Sequence, residues 1–140
     1  MTKDYFHLLA TECLRWSLSI VYVWFGFLKF FNVSPVFDVV GIAYPIITQS
    51  KILYLSLAAL EIFIGIGILV PRISAKVLWL LIGHLIVVCL GVVVSGQAFA
   101  GNILILSFVG EFILKNVVLM TAALALIAHD TRLQAGLDGA

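Results

Sequence analysis

Between Arg15 and Lys29 the chain reads RWSLSIVYVWFGFLK, a run apolar enough for lipid. Within it Arg15, Ser19, Tyr22, Gly26 and Lys29 recur at spacings of four, three, four and three, which on a helix draws one polar or small stripe down a greasy cylinder. A helix needs about 20 mainly apolar residues to cross a bilayer. The pattern predicts four such spans, at residues 13–31, 51–70, 75–95 and 103–128, the last long enough to tilt or emerge. Between the first two spans lies NVSPVFDVVGIAYPIITQS, with few charges. Ser34 followed by Pro35 suits a helix start, and Gly41 with Pro45 a stop, so a short interfacial helix is expected there. The expected fold class is all-α: an integral membrane, antiparallel four-helix bundle with a short interfacial helix between spans 1 and 2, forming a single transmembrane domain over residues 1–140.

The small residues suggest which faces meet. Ser19, Tyr22 and Gly26 share a side of the first span with Lys29, and Ala58, Glu61 and Gly65 share a side of the second. His84, Gly91 and Ser95 do so on the third, and Ser107, Glu111, Lys115, Ala122 and Ala125 lie close to one side of the fourth. Small side chains let helices approach where close contact, rather than hydrophobicity, drives association in lipid. The polar stripe of the first span is therefore expected to face the other three helices.

Composition agrees. Of 140 residues, 64% are apolar and 11% charged, with a mean hydropathy of +1.23, whereas soluble domains carry about a quarter charged residues. A net charge of +1 without basic runs argues against a nucleic-acid partner. The first apolar run follows the charged segment MTKDYFHLLATECLR and is too long and aromatic for a cleaved signal, so it reads as a retained span. Cys13 and Cys89 are far apart in sequence, and the topology puts them near opposite surfaces, against a CxxC redox pair or an internal disulfide.

The basic residues set an expected orientation. With both termini cytoplasmic, Lys3, Arg15, Arg72, Lys76 and Arg132 lie inside, against Lys29 and Lys51 outside, which places the chain as a multi-pass protein of the cell inner (cytoplasmic) membrane. Tyr5, Trp16 and Tyr44 then fall near the interfaces. The tail HDTRLQAGLDGA reads as a frayed end.

Each span carries something a lipid-facing helix should not. Charge near the bilayer centre costs at least about 2.5–3.5 kcal/mol per residue, so Lys29, Glu61, His84, Glu111, Lys115 and Asn116 are expected as a buried polar core or ligand-binding group. Glu61 and His84 fall near the midplane at about 1.5 Å rise per residue, and Glu111 precedes Lys115 by four, the favourable order for an ion pair on one face. Structural readings stand beside this one: Glu111 and Lys115 as a register-fixing pair, His84 as a hydrogen-bonded core histidine, Lys29 as a snorkelling anchor and Arg15 as positive-inside punctuation. A metal site is disfavoured, because there is no Glu-x-x-His pair and two lysines would oppose a cation.

Four segments in chain order, RWSLSIVYVWFGFLKF, GIAYPIITQS, LEIFIGIGILV and GEFILKNVVLMTAALAL, together make the sequence similar to DoxX-like small membrane proteins, most of all the YkgB branch of that superfamily. The resemblance implies an antiparallel four-helix membrane bundle and marks Gly26, Lys29, Glu61, Gly65 and Lys115. The chain departs from the family pattern at Ser50–Lys51, where Ser-Pro often opens the second span, and at Lys115–Asn116, where Lys-Asp is common; Asn keeps the hydrogen bonding but does not titrate. Some relatives are associated with quinone-linked sulfur oxidation, others with resistance to oxidants, and eukaryotic ones with membrane-protein assembly.

Two functions are expected from these features. In the first, the polar group binds a quinone or similar lipid-soluble ligand and serves membrane redox or oxidant-defence chemistry; the sequence has no haem, flavin or iron–sulfur signature, so a partner protein or a homo-oligomer is implied and the chain is not read as an enzyme on its own. The alternative is a non-catalytic accessory subunit or assembly factor of a larger membrane complex. Transport ranks last, since no inverted repeat is visible.

Overall fold

A computed structural model describes residues 2–102 and 105–138. Its regular elements are helices: α1 (Thr2–Phe30), α2 (Phe37–Ala43), α3 (Pro45–Gln49), α4 (Lys51–Ile68), α5 (Ser74–Val94) and α6 (Phe108–Asp138). Four of them, over Tyr5–Phe30, Lys51–Ile68, Ser74–Val94 and Phe108–Leu133, are long and apolar enough to cross a membrane. The chain is a membrane protein on that ground.

Helix α1 runs unbroken through the charged N-terminal segment, which holds no proline or glycine to stop it. The expected span from residue 13 is the part of α1 that carries the buried positions; in the turns before it Tyr5, Phe6, Leu8 and Leu9 are exposed, with Leu8 bordering a surface pocket beside His129 and Leu133 of α6. At the other end Asn32 adopts φ 54°, the left-handed conformation that asparagine tolerates better than most side chains. The Val33 amide then donates to the Leu28 carbonyl and the Asn32 amide to that of Lys29, closing the helix in a Schellman turn.

The segment between α1 and α4 holds two helices where one was expected. Ser34 and Pro35 lie in the turn before α2, Val36 takes the cap position, and Gly41 continues the helix. Tyr44 breaks it at φ −143°, ψ 78°, because the ring of Pro45 excludes its predecessor from the helical region; the same proline then opens α3. Ser50 caps α4 by accepting from the Leu53 amide.

Helix α1 packs most extensively on α4, α5 on α6 and on α4, and α2 folds back against α5. The α1–α4 contact is backbone on backbone. A Cβ at Gly26 would lie 2.7 Å from the Ala58 carbonyl oxygen, and one at Gly65 would lie 2.9 Å from the Ser19 carbonyl oxygen. These glycines set how closely the two helices cross.

Two apolar clusters result. The larger joins Leu18, Tyr22, Ile64, Ile68, Leu78, Leu81 and Leu126; the smaller, toward the Lys29 end, joins Val36, Val39, Val92, Ala98 and Val109. Before α6, Phe99 and Leu106 form a β-bridge, and the Ser107 hydroxyl donates to the Gln97 carbonyl, so α6 begins at Phe108. The expected start of that span at residues 103 and 104 lies outside the described residues. Helix α6 continues to Asp138, through most of the tail expected to fray.

Candidate functional site

The α1 stripe faces inward as its spacing predicts: Leu18, Ser19, Tyr22, Gly26 and Lys29 are buried. Lys29 sits in the last turn of α1, where a snorkelling side chain would turn outward. It is instead 2% exposed, with Nζ 2.6 Å from Glu61 Oε2 on α4. The other carboxylate oxygen of Glu61, Oε1, lies 3.7 Å from His84 Nε2 on α5, beyond hydrogen-bond length but within electrostatic reach. Tyr22 meets the His84 ring edge-on, centroids 6.0 Å apart, and its buried hydroxyl finds no partner among the described residues.

Asn116 supplies the contribution of α6. It is buried and within hydrogen-bonding reach of Cys89 on α5. Each of the four long helices thus places a polar side chain in one layer between the two apolar clusters. A cavity of about 80 Å³ opens on this layer, walled by Tyr22, Lys29, Glu61, His84 and Asn116 and by apolar side chains that include Phe25, Val36, Leu57 and Leu119. A second cavity of similar volume shares Val39, Val40, Leu57, His84 and Val88 with it and runs out under α2 and α3 to Tyr44 and Ile47. His84 lines both. Tyr44 closes the far side: its ring rests where a Cβ at Gly91 would stand, and its hydroxyl donates to the Val87 carbonyl at 2.6 Å.

Glu111 and Lys115 do not join this layer. The buried stripe of α6 is Val109, Asn116, Ala123 and Leu126, whereas Glu111, Lys115 and Ala125 are exposed. One residue turns a helix by about 100°, so taking Lys115 rather than Asn116 as the inward position swings Glu111 and Lys115 out of the interior. Nor do the two pair with each other. The Lys115 ammonium lies over the rings of Phe25, 4.3 Å from its centroid, and Phe112, at 5.1 Å, and no carboxylate of the described residues is within ion-pair distance of it. An exposed cation–π contact is worth about 0.5–1 kcal/mol, less than the cost of about 2.5–3.5 kcal/mol for a lysine at mid-membrane depth.

No family model, curated protein or solved structure matches this chain.

A second polar layer lies at the opposite end, around Arg15. Its guanidinium donates to Asp130 Oδ1 at 2.6 Å, to Ser74 Oγ at 2.5 Å and to the Ile68 carbonyl at 3.2 Å, with Glu12 Oε1 3.8 Å from Nε. His129 Nδ1 lies 3.4 Å from the same Asp130 oxygen. Arg15 therefore ties α1 to α4, α5 and α6 and caps the C-terminus of α4, where a cation also answers the helix dipole. Reading Arg15 as charge punctuation missed this role. The signal was present: Asp130 follows Asn116 by fourteen residues, four turns further along the same face of α6.

Cys13 is exposed near the Arg15 layer, and Cys89 stands beside Asn116 in the other; both thiols are free.

Proposed function

We propose that this chain is a DoxX-like protein of the inner membrane, an antiparallel four-helix bundle with both termini cytoplasmic and α2 and α3 at the opposite interface. Its polar layer holds a quinone or another lipid-soluble carbonyl compound. The observation that carries the reading is His84: its ring lines both cavities, and among the described residues only the distant Glu61 oxygen competes for its nitrogens. A ligand that passes under α2 and α3 meets apolar walls first and His84 last, the order that suits a greasy tail behind a polar head. His84, the Tyr22 hydroxyl and the Asn116 amide are donors for ligand oxygens, and Glu61, held by Lys29, is an acceptor beside them. In redox service the protons pass through His84 and Glu61, while the electrons come from a partner protein.

The inward turn of Lys29 supports the orientation. It removes a basic residue from the side that holds Lys51 and leaves Arg72, Lys76 and Arg132 with the Arg15 layer.

A second reading, an accessory subunit or assembly factor, is favoured by the Arg15 layer, where similar charge-pair chemistry serves to tie helices together. The two readings separate on Val88, which lines both cavities and carries no charge or hydrogen-bonding group of its own. Under the ligand reading, a short-chain quinone raises the melting temperature of the detergent-solubilised protein and Val88→Phe abolishes that rise while leaving the unliganded melting temperature within a few degrees. An unliganded protein that ignores quinone, with Val88→Phe and wild type alike, supports the staple role.

A further inference from the structure

Tyr54 is a buried titratable side chain that the proposed site does not use. It stands on α4 seven residues before Glu61, two turns away on the same face, and is 3% exposed. Its ring meets Phe37 of α2 edge-on, centroids 5.2 Å apart, under the segment that roofs the polar layer. Its hydroxyl makes no hydrogen bond among the described residues. The Ser34 side chain stands close by, short of hydrogen-bond geometry, and the Glu61 carboxylate lies within electrostatic reach. Ser34 is itself 9% exposed, in the turn that leads from the end of α1 into α2. Tyr22 repeats the pattern from α1: buried, its hydroxyl unpartnered among the described residues, and within electrostatic reach of the same carboxylate.

A buried hydroxyl without a protein partner is ordinarily held by water, which needs two or more polar neighbours. Ser34, Tyr54 and the Lys29–Glu61 pair offer such neighbours in a file from the α2 side inward. The register of α1 on α4 brings Lys29 into it. Gly26 meets Ala58 and Ile62, and Gly65 meets Ser19 and Val23, so Lys29, in the last turn of α1, comes level with the turn of α4 between Tyr54 and Ala58. Toward the Arg15 layer the way is closed. Leu18, Ile64, Ile68, Leu78, Leu81 and Leu126 fill that level, each 2% exposed or less. Ser19, the one buried polar side chain there among the described residues, belongs to the α1–α4 contact at Gly65 and lines neither cavity.

We infer that the polar layer exchanges protons with water on the α2 side alone, through a hydrogen-bonded file that runs from Ser34 by way of Tyr54 to Glu61 and His84. A hydroxyl both donates and accepts, so a proton received by Tyr54 from the Ser34 side releases the one it held toward Glu61, one O–H bond forming as another breaks. The inference supplies the quinone reading with its source of protons: a quinone that takes two electrons from the partner protein draws its two protons from that side. It rests on that reading for its use only, since the side chains of the file all belong to this chain.

Proton exchange at the His84 ring tests it with no quinone present. The full chain carries His7→Gln and His129→Gln, so that His84 is the only histidine. It is made with isotope-labelled histidine and set in lipid nanodiscs, and NMR measures magnetisation transfer from water to the ring N–H. Tyr54→Phe, which keeps the ring against Phe37, and Ser34→Ala are each expected to slow the exchange several-fold. Ser19→Ala, toward the Arg15 layer, is expected to leave it unchanged. A purely structural Tyr54 would lower the melting temperature and leave the exchange rate alone. Should Tyr54→Phe fail to fold, Ser34→Ala, in the turn outside the helices, decides by itself. A wild-type rate in either folded variant, a Ser19→Ala chain slowed as much as Tyr54→Phe, or a His84 ring that never exchanges with water overturns the inference. Quinone plays no part in the measurement, so the file and the ligand site can each fail while the other stands.

Discussion

Lys29 carries its ammonium inward because a carboxylate waits there, and the pair holds only as a pair. Removing one charge of a buried ion pair costs about 3–5 kcal/mol, since the other is left uncompensated, whereas removing both exchanges a desolvated pair for neutral groups. Lys29→Met and Glu61→Gln are each expected to destabilise by about that amount, and Lys29→Met with Glu61→Gln by less than either alone. Thermal unfolding in detergent measures the cycle; additive losses would show that the two groups do not act together. At this scale the sequence was readable wherever periodicity was backed by chemistry. Lys29, Glu61 and His84 could be assembled on paper because each is the one ionisable residue on the inner half of its turn. Lys115 and Asn116 are adjacent, both polar, and only the phase of α6 separates them. That phase is fixed by Ala123 and Leu126 packing against α5, a tertiary fact with no local signature.

Elements position the site through their breaks and close approaches. Tyr44 sits in the break that Pro45 imposes, and from there its hydroxyl reaches the Val87 carbonyl while its ring fills the notch at Gly91. That ring and that hydrogen bond help hold α2 and α3 over the cavities, beside the packing of Val36 and Val39 in the smaller apolar cluster. Tyr44→Phe removes the bond, worth about 1 kcal/mol, and Gly91→Leu removes the seat for the ring. Both are expected to speed amide hydrogen exchange across residues 37–49 and to leave α4 and α5 unchanged; equal protection in the variants would mean that other contacts hold the segment down. The α1–α4 crossing makes a separate prediction. Gly26→Val drives a side chain into the backbone of α4 and is expected to cost about 1–3 kcal/mol by overpacking, with loss of the Lys29–Glu61 register, read as a lower melting temperature and slower binding-competent refolding. Four long helices were legible because length and apolarity suffice to identify them. The division of the connecting segment was harder to see: Gly41 resembles a stop, but in a helix held by α5 the lack of a side chain is tolerated, and the proline four residues later decides the break.

The whole molecule is organised by two polar layers separated by an apolar cluster, and they differ in kind. The Arg15 layer is a set of paired ties: one guanidinium donates to acceptors on α4, α5 and α6 and lies within ion-pair distance of Glu12 on α1. Asp130→Asn is expected to cost about 1.5–3 kcal/mol, the worth of a hydrogen bond to a charged group, and to leave ligand binding at the distant layer intact; a variant of normal stability would remove Arg15 from the set of structural ties. The Lys29 layer keeps capacity in reserve, in the Tyr22 hydroxyl and the His84 ring, and keeps an apolar way in. That asymmetry between a layer of paired charges and an open one was not visible in the sequence, which shows a polar residue at each place but not how many partners it finds.

The account turns on the open layer holding a lipid-soluble molecule. The most direct measurement is mass spectrometry of small molecules released from the protein purified gently from its native membrane, compared with Val88→Phe treated alike. The account predicts a quinone or a related carbonyl lipid in near-stoichiometric amount with the wild type and little with the variant. A wild-type protein that retains only bulk phospholipid, in the same amounts as Val88→Phe, would contradict it and leave Lys29, Glu61 and His84 as internal ties.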